Sequence, residues 1–205
     1  MQEQDIENLI SYGTCIENPK TARILIVDDQ EPNIRLLERI LADASYENLH
    51  ATADARQVLR LCEEIQPDLI LLDLHMPFLS GFEVMKQIRE SLKPQSYLPI
   101  LVLTADIAPD TKRAALRAGA LDFLNKPFDP VEVTLRANNL LTTRFLHLRL
   151  QAHAQLLAEK LCSTNDVLAR YLNELRSKNE RLVSDLGAAR EALAVQLHQR
   201  SSLET

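Results

Sequence analysis

The sequence predicts an α/β fold, a five-stranded doubly wound parallel sheet followed by a long C-terminal coiled-coil helix. Short apolar runs at Ile24–Val27, Leu69–Leu72, Ile100–Leu103 and Leu121–Leu124 are continuous rather than alternating, as in strands covered on both faces. Helical patterns fall between them, and a weaker run at Asn48–Thr52 completes five β-α repeats, the arrangement of a parallel sheet. Beyond Pro130 there is no further proline, and Gly187 is the one strong helix breaker.

Taken in order, residues 1–21 are a polar extension, broken by Asn18-Pro19-Lys20 before the first strand. Residues 22–140 hold the sheet and its helices. Asp54 precedes an apolar-periodic run to Ile65, and Ser80-Gly81-Phe82-Glu83 has the capping-box pattern of a helix start. Asp129-Pro130-Val131-Glu132 combines an N-cap, a proline at the first helical position and an acidic residue in the first turn, so a helix is expected from about Pro130 to near Gln199. Residues 141–205 are its coiled-coil continuation.

The 205 residues are 46% hydrophobic, with 4% aromatics and no Trp, which favours helices and an aliphatic sheet. The formal net charge of -6 comes from residues 1–129, and the C-terminal part is close to balanced, so no direct DNA binding is expected. Cys15, Cys62 and Cys162 lie too far apart for a paired metal motif. No apolar stretch has bilayer length and the N-terminus lacks a basic start, so a cytoplasmic protein without membrane attachment is expected.

In a doubly wound sheet, ligands collect beyond the C-terminal strand ends, where the strand order reverses. Asp28-Asp29 follows the first strand, Asp73 the third, Thr104 the fourth and Lys126-Pro127 the fifth. Taken singly, each has a structural explanation as a cap, a turn or a solvated loop residue. Together they place three carboxylates, a hydroxyl and an ammonium on one edge. Three carboxylates repel one another unless a divalent cation offsets the charge, and an oxygen-only donor set favours Mg2+. A carboxylate beside such a cation and an ammonium is poised to accept a phosphoryl group, since that chemistry consists mostly of positioning and charge neutralisation.

Residues 22–140 resemble the receiver domains of two-component response regulators. The likeness rests on Ile24-Leu25-Ile26-Val27-Asp28-Asp29, Leu72-Asp73-Leu74-His75-Met76-Pro77 with Gly81, Leu103-Thr104-Ala105, and Ala118-Gly119-Ala120 through Phe123 to Lys126-Pro127-Phe128. The resemblance implies that Asp73 is the phosphoacceptor, Asp29 a direct Mg2+ ligand, Asp28 a ligand acting mainly through water, and the His75 backbone carbonyl a further ligand. It implies that Thr104 and Lys126 stabilise the phosphoryl group and that Thr104 and Phe123 form the switch. The implied partner is a sensor histidine kinase or phosphotransfer protein. The implied enzymology stops at Mg2+-dependent self-phosphorylation and autodephosphorylation. His75 and Asp106 depart from the residues usual beside the path of attacking water.

In the C-terminal helix, Leu161, Leu168, Leu175 and Leu182 recur every seven residues, with Asn165, Leu172, Asn179 and Leu186 at the other seam position. Asparagines at that position pair best with each other across a parallel, in-register homodimer. The segment from Leu103 to Leu150 is similar to regulators in which a receiver and a long helix precede an enzyme of cyclic-dinucleotide signalling. Both a piece of such a regulator and a free-standing partner-binding regulator stay open. Two other functions compete. One is a dimeric scaffold with a silent receiver. The other is a haloacid-dehalogenase-like phosphohydrolase, which wants its nucleophile at the first strand and a second Asp two residues later, where this chain has adjacent Asp28 and Asp29 followed by Gln30.

Overall fold

The computed structural model describes residues 19–91, 97–106 and 108–203. The N-terminal extension expected over residues 1–21 lies outside them up to residue 18. Five strands, β1 (Arg23–Val27), β2 (Asn48–Thr52), β3 (Leu69–Asp73), β4 (Ile100–Thr104) and β5 (Asp122–Asn125), alternate with helices α1 (Glu31–Asp43), α2 (Val58–Ile65), α3 (Gly81–Ser91), α4 (Pro109–Ala118) and α5 (Pro130–Leu203). The sheet has the order β2-β1-β3-β4-β5 and every pairing is parallel. The order therefore reverses at β1.

Two cores cover the sheet, because successive strand residues point to opposite faces. Ile24, Ile26, Leu69, Leu71, Leu101 and Leu103 pack with Leu37 and Leu41 of α1 and with Val133, Ala137, Leu141 and Phe145 of α5. Leu25, Val27, Ile70, Leu72 and Val102 pack with Val58 of α2, Val84, Met85 and Ile88 of α3, and Ala115 of α4. All five residues of β3 and of β4 are buried, which explains their unbroken apolar runs. At the sheet edge, β2 leaves Asn48, His50 and Ala51 exposed, and its pattern is correspondingly faint.

The expected helix starts are present. Ser80 Oγ and Glu83 form the reciprocal capping box of α3, and Asp129 Oδ1 accepts the Glu132 N–H at 2.9 Å at the head of α5. The region after Asp54 differs in its first turn, where a 3-10 turn at Ala55–Gln57 precedes α2. There the Asp54 carboxylate accepts the Arg56 N–H and draws the chain tighter than an α-helical start. Gly119 ends α4 at φ +108°, a left-handed conformation suited to glycine.

The compact unit carrying the sheet runs through Leu150. Arg144 of α5 pairs with buried Asp68 and donates to the Tyr97 carbonyl, while Asp68 also accepts from the Arg23 N–H at 3.1 Å. From Gln151 the second unit is helix alone, and Leu161, Leu168, Leu172, Leu175, Leu182 and Leu186 are all exposed. Among the described residues, no helix is long and apolar enough to cross a membrane.

Gly81 sits where α3 turns back onto β3, and a Cβ there would lie 2.3 Å from the Asp73 carbonyl oxygen and 2.9 Å from Leu74 Cα. Both neighbours are main chain and cannot swing aside. Gly81→Ala is expected to lower unfolding free energy by about 1–3 kcal/mol, read from urea denaturation followed by circular dichroism. An unchanged midpoint would mean that the α3 junction yields freely.

Candidate functional site

The sheet register brings the strand ends level: Val27 pairs with Leu72, Asp73 with Leu103, and Thr104 with Asn125. Asp28, Asp73, Thr104 and Lys126 thus meet at the C-terminal edge beside the strand-order reversal at β1. Asp28 is completely buried and Asp73 is 2% exposed. Lys126 lies across the end of β4 and places Nζ 2.7 Å from Asp28 Oδ2 and 2.9 Å from Asp73 Oδ2. Its backbone N–H donates to the Thr104 carbonyl at 2.8 Å, which fixes where the side chain starts.

Asp28 is held from its other side as well. Its Oδ1 accepts from the Gln30 N–H and from Asn33 Nδ2, both at 3.0 Å, and Oδ2 accepts from the same Asn33 amide at 3.2 Å. Asp73 Oδ1 accepts the His75 N–H at 3.4 Å. Burial raises the Asp73 carboxyl above its ordinary value against the lowering pull of Lys126, and the Asp28 charge raises it further. Burial pushes the Lys126 ammonium down, but its hydrogen bonds to Asp28 and Asp73 outweigh this and leave it raised.

Carboxylate oxygens of Asp28, Asp29 and Asp73 lie within 4.8 Å of one another. Asp29 Oδ1 is buried without a hydrogen-bond partner among the described residues. One ammonium offsets one of three negative charges, and a buried carboxylate oxygen left bare is costly. The cluster therefore fits a hard divalent cation with oxygen ligands.

The remaining expected residues surround this floor. Thr104 is buried, and its Oγ1 accepts the Asp106 N–H at 3.0 Å. Asp106 accepts from Ala108 N–H at 2.8 Å and from Thr111 Oγ1, and these bonds, with a smaller contribution from the nearby His75, lower its carboxyl pKa. Phe123 is half-buried, with Lys112 Nζ 4.4 Å and the Arg136 guanidinium 5.8 Å from its ring centre. The His75 side chain is exposed. The sequence reading passed over Asn33, which grips Asp28, and Asn125, whose buried Oδ1 has no partner among the described residues. Their only signal was position, one in the first turn after the acidic pair and the other immediately before Lys126.

A buried acidic cluster bridged by a lysine at the reversal point of a parallel sheet defines a cation-dependent, phosphoryl-handling class of α/β protein. The match of residues 24–138 to the response regulator receiver domain is specific, and the chain belongs to that family. A receiver domain is the phosphorylation-accepting part of a response regulator.

It is 40% identical over 119 residues to the alkaline phosphatase synthesis transcriptional regulatory protein PhoP of Bacillus subtilis, covering 58% of this chain and 48% of that protein. Similarity to response regulator PleD of Caulobacter vibrioides is 38% over 125 residues, 61% of this chain and 27% of the relative. The cyclic di-GMP phosphodiesterase response regulator RpfG of Xanthomonas campestris is 31% identical over 169 residues, 82% of this chain and 43% of its own length. The chain thus spans less than half the length of these relatives. Among solved structures, chemotaxis protein CheY4 of Vibrio cholerae aligns at TM-score 0.53 with 32% identity, over 59% of this chain and 98% of that one. A response regulator from Chloroflexus aurantiacus aligns at TM-score 0.55 with 34% identity, over 60% of this chain and 98% of that one.

Because the Asp73 carboxyl is raised by burial, protons compete with a cation above the ordinary carboxylate range. A cation binds the ionised form, so Mg2+ affinity is expected to fall as pH drops from 8 toward 5 and to recover on return. Calorimetric Mg2+ titration across that range checks the sign, and affinity that rises on acidification contradicts it.

Proposed function

We propose that Asp73 is the phosphoacceptor of this response regulator, in a site holding Mg2+ through Asp28, Asp29, Asp73 and the backbone carbonyl of His75. The observation that carries the reading is the Lys126 ammonium bridging Asp28 and Asp73 at 2.7 and 2.9 Å. When bound, Mg2+ supplies positive charge facing the incoming phosphoryl oxygens. An Asp73 oxygen attacks phosphorus, the bond from phosphorus to the donor's imidazole nitrogen breaks, and the bonding pair stays on that nitrogen, so the ring, which carries a proton on its other nitrogen, leaves as neutral imidazole. Lys126 stays beside Asp73 and pairs with the phosphoryl group. The same centre takes phosphate from a small phosphodonor, and attack of water on phosphorus releases it.

Arrival of the phosphoryl group gives the Thr104 hydroxyl, which otherwise donates to the Asp106 carbonyl at 3.4 Å, a stronger acceptor. Its movement vacates space for Phe123, which leaves its position between Lys112 and Arg136 and packs inward. The switch thus alters the surface of α4, β5 and the start of α5.

Transmission runs through a parallel homodimer of the C-terminal helix to an output domain or a partner. Exposure of Leu161, Leu168, Leu172, Leu175, Leu182 and Leu186 supports a seam awaiting a second copy, with Asn165 and Asn179 pairing across the axis. The likeness to RpfG extends past the receiver match, which favours an output in cyclic-dinucleotide signalling.

Two outcomes are expected. Asp73→Asn abolishes incorporation of phosphate from acetyl phosphate by mass spectrometry, with folding intact, while the unsubstituted chain is labelled only with Mg2+ present. Labelling of the variant at another residue contradicts the assignment. Separately, the double change Leu168→Asp and Leu175→Asp converts a sedimenting dimer to a monomer, because charges buried opposite their own copies repel at the seam. A monomer before the substitution overturns the dimer.

A further inference from the structure

The rim above the acidic floor carries an aromatic side chain that phosphoryl chemistry leaves unused. Phe78 lies in the loop from β3 to α3, whose ends are tied by the Gly81 N–H donating to the Leu74 carbonyl at 3.1 Å. Its side chain is 86% exposed, and its backbone sits at φ +68°, a region that bulky L residues rarely enter. Glycine or asparagine fits such a backbone better. A phenylalanine here therefore brings folding neither burial nor a relaxed main chain.

The ring is nonetheless held in place. The Arg56 guanidinium lies 5.1 Å from its centre, a cation–π contact. Both nitrogens Nε and Nη2 of Arg56 donate to the Asp54 carboxylate, each at 2.9 Å. That pairing lowers the Asp54 carboxyl to about 2, so the clamp stays charged at any physiological pH. The Asp54 N–H in turn donates to Thr52 Oγ1 at the end of β2. A continuous line of contacts thus fixes an exposed ring in the loop that follows Asp73. Around the same mouth, Pro77, Ala105 and Pro127 are exposed while Asp28 and Asp73 below are buried.

We propose that Phe78, braced by Arg56, anchors the protein phosphodonor, seating in an apolar depression next to the donor's phosphohistidine. This rests on Asp73 being the phosphoacceptor. A buried acceptor is reached through its rim, and a donor that carries its phosphoryl group on a protein surface must cover that rim. A small phosphodonor needs only the charged floor. Aromatic and arginine side chains fixed before binding are the kind that concentrate interface energy, since little rotamer freedom remains to be lost.

Phe78→Asn separates the two donors, because asparagine accepts the left-handed backbone while removing the ring. The probes are acetyl phosphate and the histidine kinase domain, phosphorylated on its histidine, that transfers fastest to the unsubstituted full chain. Expected for Phe78→Asn are a denaturation midpoint equal to or above that of the unsubstituted chain, acetyl phosphate labelling within twofold, and kcat/KM for transfer from the kinase reduced at least tenfold. Arg56→Gln, which loosens the ring without removing it, reduces kinase transfer about threefold. Transfer from the kinase within twofold for Phe78→Asn overturns the anchor, as does an equal loss with both donors, which places the ring's effect on the floor. Failure of acetyl phosphate to label the unsubstituted chain overturns the phosphoacceptor reading, and the anchor with it.

Discussion

The arrangement of the strand ends depends on one ammonium group. Asp28 is fully buried and Asp73 nearly so, and two such carboxylates in contact with nothing positive would oppose folding by several kcal/mol each. Lys126 reaches Asp73 from two strands away and Asp28 from three, because β5 ends level with β4. The fold therefore fixes its own charge balance only when β1, β3, β4 and β5 are in register. That balance is incomplete by design of the residue set: Lys126 leaves Asp29 Oδ1 bare, and it is this deficit that suits the floor to a divalent cation.

Much of this was legible in the sequence because a doubly wound sheet converts position into location. A residue just past an apolar run lies on the ligand edge, so Asp28, Asp73, Thr104 and Lys126 could be assembled from spacing once the strands were placed. Central strands β3 and β4 were plain because both faces are covered, whereas edge strand β2 was faint because solvent reaches three of its five side chains. Side-chain partners were less accessible. The sequence does not say that Lys126 binds Asp28 as well as Asp73, or that the Asn33 amide grips both Asp28 oxygens, since those contacts depend on rotamers and on which groups burial leaves in reach. Phe78 was invisible for a similar reason: nothing in its neighbours reveals a positive φ or a guanidinium over its ring.

The long helix shows two codes in one element. Val133, Ala137, Leu141 and Phe145, four residues apart, form the buried stripe of a helix packed on a sheet, and Arg144 adds an ion pair to buried Asp68 at the far edge. From Leu157 to Leu186 the apolar residues remain regular but are exposed. It is this regularity without burial, which singly scattered leucines would lack, that supports the dimer proposed above.

In the switch proposed above, Thr104 and Phe123 are held by bonds of ordinary strength, which would set how far phosphorylation moves them. Thr104 Oγ1 accepts one backbone N–H, from Asp106, and releasing it costs about 0.5–1.5 kcal/mol. Phe123 gives up two cation–π contacts, each worth about 0.5–1 kcal/mol at an exposed site. The combined cost, a few kcal/mol, keeps the unphosphorylated chain mostly in the arrangement described. A charge-assisted bond from Thr104 to a phosphoryl oxygen, together with burial of the Phe123 ring, is of the same size. On the switch proposed above, the two states would be separated by a margin that a single phosphoryl group reverses, with Asp106 at the point of leverage. Its N–H holds Thr104 while its carboxylate holds Ala108 and Thr111 at the head of α4, so the residue that would release the hydroxyl also holds the start of that helix.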